Sequence, residues 1–385
     1  MNSDINKTLS DELKRCFGSA GCRLLSKGRV GLYIGLRAMD LPKGSKVLMP
    51  GYTCMVVPSA VQFAGLKPTY LDIDPETFNI DPSLLDSASG APPSALIVQH
   101  TYGIPCEMTA IGGWAERRGV PIIEDCCHSF GSRYEGKLCG TFGKFAFMSG
   151  QWNKPFSTGL GGMLLVNDEK LADRVAEIIE REAVAPGRLK NLLLAAQIVA
   201  YQWLVRPETT AAMMSLYRLL GKLGLVAASS SNKELRGELP PGYLSTMAPC
   251  QIRKGLREMA RIEENIAHRI ELTRYYQREL PLIGFPVLSA KVPEGLPLLR
   301  YPVRVANKHE VLVQAKKHRT EIGSWFELPL HPEGTRMEEF GYREGMCPEA
   351  DRASREVINL PTHLKVNQST AGKTLEFLKR YARPV

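Results

Sequence analysis

Met108-Thr109-Ala110-Ile111-Gly112-Gly113-Trp114-Ala115-Glu116-Arg117-Arg118-Gly119 runs straight into Val120-Pro121-Ile122-Ile123-Glu124-Asp125. The first part has helical spacing and stops at a glycine. The second is a short apolar strand whose far end carries two carboxylates. The same alternation extends to both sides. Upstream, Lys46–Met49, Thr69–Ile73 and Ala95–Val98 read as strands, with a helical stretch over Tyr52–Ala64. Downstream, Phe145–Met148 and Met163–Val166 are again strands. Short apolar strands alternating with helices predict an α/β fold, a mostly parallel sheet covered on both faces.

Composition fits this reading. The chain has 385 residues, of which 44% are apolar and 23% charged, which excludes a disordered tail or a fibrous repeat. That length suits two or three domains, or one large and one small. Lys and Arg number 49 against 40 Asp and Glu, a net charge of +9. No run of five Lys or Arg occurs and zinc-finger spacing is absent, so nucleic acid is not an expected partner. A mildly basic surface instead suits anionic small substrates. Nine cysteines form no Cys-x-x-Cys pair, Cys126 and Cys127 are vicinal, and no chelating His/Cys cluster is evident. Neither a disulfide framework nor a metal is expected, and a reducing cytoplasm is the expected compartment. The opening Met1-Asn2-Ser3-Asp4-Ile5 lacks the shape of a secretory signal.

Residues 186–225 stand apart. Leu192–Val205 is a run of 14 residues without a charge, and Thr209–Tyr217 has none either. A membrane-spanning helix needs about 20 apolar residues. The pattern predicts an apolar helical hairpin that either packs in the subunit core or an oligomer interface, or lies on a membrane surface. A loop follows over 227–241, then a long amphipathic helix over about 247–279. Strands and helices alternate to the end, including Leu299–Val305, His309–Lys317 and Gln368–Tyr381. The expected division is a large domain over 1–240 and a smaller C-terminal α/β domain over 241–385.

Four features share this frame. Ser26-Lys27-Gly28-Arg29 opens a helix, where free amide N–H groups bind phosphate. Gly51-Tyr52-Thr53 lies at a strand's carboxyl end, the edge where open α/β sheets bind ligands. Glu124 and Asp125 end another strand, with His128 close behind. Ser149 ends a further strand, and Lys154 follows before Gly159, Gly161 and Gly162. An anion cradle, a carboxylate and a lysine on one sheet edge are what a phosphorylated aldehyde requires.

Val47-Leu48-Met49-Pro50-Gly51-Tyr52-Thr53 and Pro68–Asp74 resemble the DegT/DnrJ/EryC1/StrS family of sugar aminotransferases. So do His100-Thr101-Tyr102-Gly103, Ile123–Gly131, Gly140–Gly143 and Phe147–Gly162. The resemblance implies fold type I: a mixed, mostly parallel seven-stranded sheet between helices, with a pyridoxal 5′-phosphate (PLP) site. It implies Lys154 as the lysine that holds the cofactor's aldehyde and then carries protons. Asp125 would keep the pyridine nitrogen protonated, and His128 would lie near the ring hydroxyl. Gly28, Arg29, Thr53 and Ser149 fall on the phosphate positions. Cys54 falls where the family often has a stacking aromatic, and His331 falls near the substrate.

Some positions depart from the family pattern: Arg29 for Thr, Cys54 for an aromatic, Pro155 for the Asn after the lysine, and Leu244-Ser245-Thr246-Met247 for Asn-Tyr-Arg-Met. The expected activity is transfer of an amino group from glutamate to a nucleotide-linked keto sugar, in polysaccharide or glycosylated-metabolite biosynthesis. The enzyme is expected to be at least a homodimer. Relatives that dehydrate sugars replace the lysine by histidine, so Lys154 speaks against dehydration. A scaffold or regulator without turnover is the remaining alternative.

Overall fold

The structure is a computed structural model and describes residues 2–87, 92–206, 209–222, 226–227 and 232–385. Seven strands form the central sheet: β1 (Gly21–Leu25), β2 (Lys46–Pro50), β4 (Lys67–Leu71), β5 (Ala95–Gln99), β6 (Ile122–Asp125), β7 (Phe145–Gln151) and β8 (Leu160–Val166). A two-residue strand, β3 (Thr53–Cys54), lies outside it. The order across the sheet is β1-β8-β7-β6-β5-β2-β4. Only β8 runs against its neighbours, so the sheet is mixed and mostly parallel, as expected.

Side-chain alternation along the strands divides the core. Val47, Met49, Ile97, Ile123 and Phe147 pack with helices α2 (Gly28–Ala38), α3 (Val56–Phe63) and α5 (Glu169–Glu182). Leu48, Leu96, Val98 and Ile122 point the other way, onto α4 (Met108–Arg118). Further along that face, Ala146, Met148 and Met163 meet Leu9, Leu13 and Phe17 of the N-terminal helix α1 (Asn2–Phe17). The leucines and Phe17 recur every four residues, which puts them on one helical face.

Past the central sheet, the apolar run contains two helices, α6 (Arg188–Leu204) and α7 (Thr210–Lys222). The long helix expected over 247–279 is two: α8 (Pro249–Met259) and α9 (Ile262–Glu279). They part at Arg261, whose φ of −118° and ψ of 12° leave the helical range. The C-terminal residues carry β9 (Arg300–Arg304) paired antiparallel with β11 (Val357–Pro361), and helix α10 (Gln368–Tyr381). Between them, the short strand β10 (Leu330–His331) pairs in parallel with β3, Leu330 opposite Thr53 and His331 opposite Cys54.

The first turn of α2 sits directly on the sheet. A Cβ at Gly28 would lie 2.7 Å from the carbonyl oxygen of Met148 and 3.2 Å from Cα of Ser149. Those are backbone atoms that cannot swing aside. Gly28→Ala is therefore expected to cost about 1–3 kcal/mol of stability through overpacking. A urea unfolding midpoint equal to that of the unaltered protein would contradict this contact.

Candidate active site

The carboxyl ends of β5, β6 and β7 face the start of α2, and the groups there converge on a cavity of about 410 Å³. Gly28, Arg29, Cys54, Asp125, His128, Ser149, Lys154 and His331 all line it. Sequence positions from 28 to 331 are thus gathered into one hollow. Thr53 is buried beside it, with its Oγ1 donating to Gln99 Oε1 at 2.6 Å.

Lys154 is presented by a tight turn after β7. Its N–H donates to the carbonyl of Gln151 at 3.1 Å, and Asn153 takes a left-handed φ of 64°, which asparagine tolerates better than most residues. The turn is braced from outside. Arg269 Nη2 donates to the Asn153 carbonyl at 3.3 Å, the Tyr201 hydroxyl of α6 bonds the Asn153 side chain, and the Tyr201 ring stacks on Trp152 at 4.5 Å. The Lys154 side chain is 6% exposed, and burial pushes its ammonium below the ordinary lysine value despite the opposing pull of Cys127 and Asp125. Its Nζ lies 4.6 Å from the centre of the Trp325 ring.

The two adjacent carboxylates of β6 have opposite fates because strand side chains alternate. Glu124 is fully buried and accepts from the amides of Gly140 (2.6 Å), Phe142 (2.7 Å) and Gly143 (2.8 Å). It also lies 3.1 Å from His100 Nε2. With Cys126, this pair makes a group of metal-ligating type, yet Glu124's oxygens are already filled by those donors. Asp125 faces the cavity and accepts one amide bond, from Cys127 at 2.9 Å. Burial raises its pKa above the ordinary carboxyl value, against the lowering pull of that bond and of Lys154.

His128 Nδ1 accepts from the Tyr102 amide at 3.1 Å, so in the neutral ring Nε2 carries the proton. Burial first, then the charges of Lys154 and Arg300, hold its pKa well below the usual imidazole range. Burial likewise raises the thiols of Cys54 and Cys127, which keeps them protonated.

At the α2 end, Arg29 does not stand open for an anion. Its Nε lies 2.7 Å from Glu234 Oε1, and Glu234 Oε2 lies 3.5 Å from Lys27 Nζ. Glu234 is 2% exposed and sits in the short helical turn Asn232–Leu235, inside the stretch expected as a loop. Burial and the nearby Arg29 lower Lys27 to about 8. The Leu244–Met247 departure runs along the sheet edge: Ser26 N–H donates to the Ser245 carbonyl, and Met247 N–H to that of Leu24.

The far wall comes from the C-terminal part. Trp325 stacks parallel on His128 with ring centres 5.4 Å apart, and Arg300 lies 5.1 Å from the Trp325 ring. The segment is pinned at its backbone. Tyr102 donates to the Trp325 carbonyl at 2.6 Å, Phe326 N–H to Tyr52 at 3.1 Å, and buried Lys308 to the Phe326 carbonyl at 2.8 Å. His331 Nδ1 accepts from Glu327 N–H at 3.4 Å. Gln99 had a sequence signal, as a polar residue ending an apolar strand at the ligand-binding edge. Trp325 and Glu234 had none, since only long-range packing brings them here.

A profile of the DegT/DnrJ/EryC1/StrS aminotransferase family matches residues 3–197 and 204–379. The pleiotropic regulatory protein of Geobacillus stearothermophilus is 27% identical over 369 residues, 94% of this chain and 85% of its own. The UDP-2-acetamido-2-deoxy-3-oxo-D-glucuronate aminotransferase of Pseudomonas aeruginosa is 25% identical over 356 residues, 92% and 84% of the two chains. Among solved structures, the Helicobacter pylori aminotransferase PseC, involved in pseudoaminic acid biosynthesis, superimposes with a TM-score of 0.75 at 14% identity. That match covers 97% of this chain and 90% of the other, a likeness of fold.

Proposed function

Because the chain belongs to the DegT/DnrJ/EryC1/StrS aminotransferase family, we propose that it moves an amino group from an amino acid, glutamate being the first donor to try, to a keto sugar carried on a nucleotide. The observation that carries the proposal is one cavity lined by both a buried amine of lowered pKa, Lys154, and a buried carboxylate, Asp125.

The donor set fits PLP. The cavity offers an amine for its aldehyde, a carboxylate for its ring nitrogen, and the first turn of α2 with Lys27 and Arg29 for its phosphate. When bound, the cofactor supplies an electron sink for the donor's α-carbon. Asp125 holds a proton on the ring nitrogen by a charge-assisted hydrogen bond. The neutral Nζ of Lys154 takes the proton from the donor's α-carbon and later gives one to the sugar carbon that receives nitrogen. Trp325 and Phe326 exclude water from the side opposite the sheet, and Ser149 with the α2 amides orients the phosphate. Glu234 balances Arg29 and Lys27 while no phosphate is present, and it must yield part of that pairing to the incoming dianion.

The Pseudomonas relative's named substrate, a UDP-linked keto sugar acid, supports the choice of acceptor class. The test is to incubate the PLP-loaded protein with a panel of amino donors and UDP-, GDP- and dTDP-linked keto sugars. Expected are release of the donor's 2-oxo acid and an amino sugar of matching mass. Bound cofactor with no transfer from any donor would overturn the proposal and favour a regulatory role, in line with the name of the Geobacillus relative.

A further inference from the structure

Helix α6, which braces the Lys154 turn, has a second face. Inward, α6 is anchored: Leu194 is 5% exposed, Asn191 accepts the Cys250 amide at 3.1 Å, and Tyr201 holds Asn153. Outward, Leu189 is 72% exposed, Leu192 64%, Val199 56% and Trp203 71%. These residues are spaced three, seven and four apart, with Ala196 and Ala200 exposed between them, so they form one continuous stripe along the helix. On α7, Leu216 and Leu219, three apart, are about half exposed. A helix held firmly by one side while the other shows a stripe of large apolar residues to water needs a second partner.

We propose that this outer face lies on an anionic phospholipid bilayer, with α6 parallel to the surface. Charge complementarity selects that occupant. Residues 186–225 carry Arg188, Lys190, Arg206, Arg218 and Lys222 against a single acid, Glu208. Arg188 and Arg206 are exposed at the two ends of α6 and flank the stripe, whereas Lys190 turns toward a separate hollow with Lys27 and Glu234. A second copy of α6 seated on the same face, in either direction, would bring these arginines against one another. Anionic headgroups neutralise them, while leucines and a tryptophan enter the acyl boundary. The helix has 17 residues, and among the described residues no helix is long and apolar enough to cross a membrane. It lies on the bilayer and does not span it. The proposal rests on this face alone and stands apart from the aminotransferase reading.

The test is flotation of the full-length protein with vesicles of phosphatidylcholine alone and of phosphatidylcholine mixed with phosphatidylglycerol. Binding to the mixed vesicles is expected to be at least about tenfold stronger, and to weaken as salt rises. Emission of Trp203 should shift to shorter wavelength on binding, a shift missing in Trp203→Phe. The double variant Leu192→Asp, Val199→Asp should lose at least about tenfold in vesicle binding with unchanged circular dichroism and unchanged mass by light scattering. Absence of wild-type flotation, or flotation indifferent to the double variant, would overturn the proposal. So would a drop in particle mass in that variant, which would make the face a contact between copies of this chain.

Discussion

Lys154→Ala is expected to lower amino-group transfer by about four orders of magnitude, because the other lowered amine lining the cavity, Lys27, is paired with Glu234 at the α2 end. Two costs fall together: the capture of the cofactor's aldehyde and the carriage of protons. The sign of the lysine's shift supports the proposed role as a base. Burial disfavours the ammonium, so the free amine appears as pH rises through a value below the ordinary 10.5. Removing a buried ammonium relieves desolvation, so the variant is expected to stay folded. The check is transfer kinetics beside a thermal unfolding curve. Ordinary turnover by the variant would remove Lys154 from its role and the proposed function with it.

Asp125→Asn is the second large effect, about a thousandfold loss in turnover. The substitution keeps shape and keeps an acceptor for the Cys127 amide, so the strand end stays in place. What disappears is the charge that holds the ring proton. Burial raises the Asp125 pKa above the ordinary 3.8, so as pH falls the carboxylate is lost earlier than for an exposed aspartate. The unaltered enzyme should show an acid limb in kcat/KM, and the variant should lack it. A variant with near-normal kcat and the same acid limb would show that another group protonates the ring.

The sheet was legible because buried parallel strands are nearly continuous apolar runs, and Lys46–Met49 and Ala95–Val98 read as strands without ambiguity. Boundaries failed where distant partners decide them. A helix over Tyr52–Ala64 is the local reading, but Thr53 and Cys54 instead pair with Leu330 and His331, and the helix starts at Val56. β6 ends on Glu124 and Asp125 as read, but the three amides of a later turn that satisfy the glutamate have no local signature. Strand-end position marked the Glu124-Asp125 pair and Lys154, and the family resemblance gave Asp125 and Lys154 their expected roles. The pairing of Arg29 with Glu234, and the Trp325 wall, arise across more than 170 residues of chain and have no local signature.

That wall divides the labour of the cavity. The groups suited to proton work ride on the central sheet, whereas Trp325, Phe326 and His331 belong to a separate strip fastened beside Thr53 and Cys54 by a two-residue zipper. Substitutions along the strip reshape the wall of the cavity from outside the central sheet. A lineage built this way can exchange one acceptor for another while its chemistry stays untouched, as a lock is rekeyed without replacing the bolt.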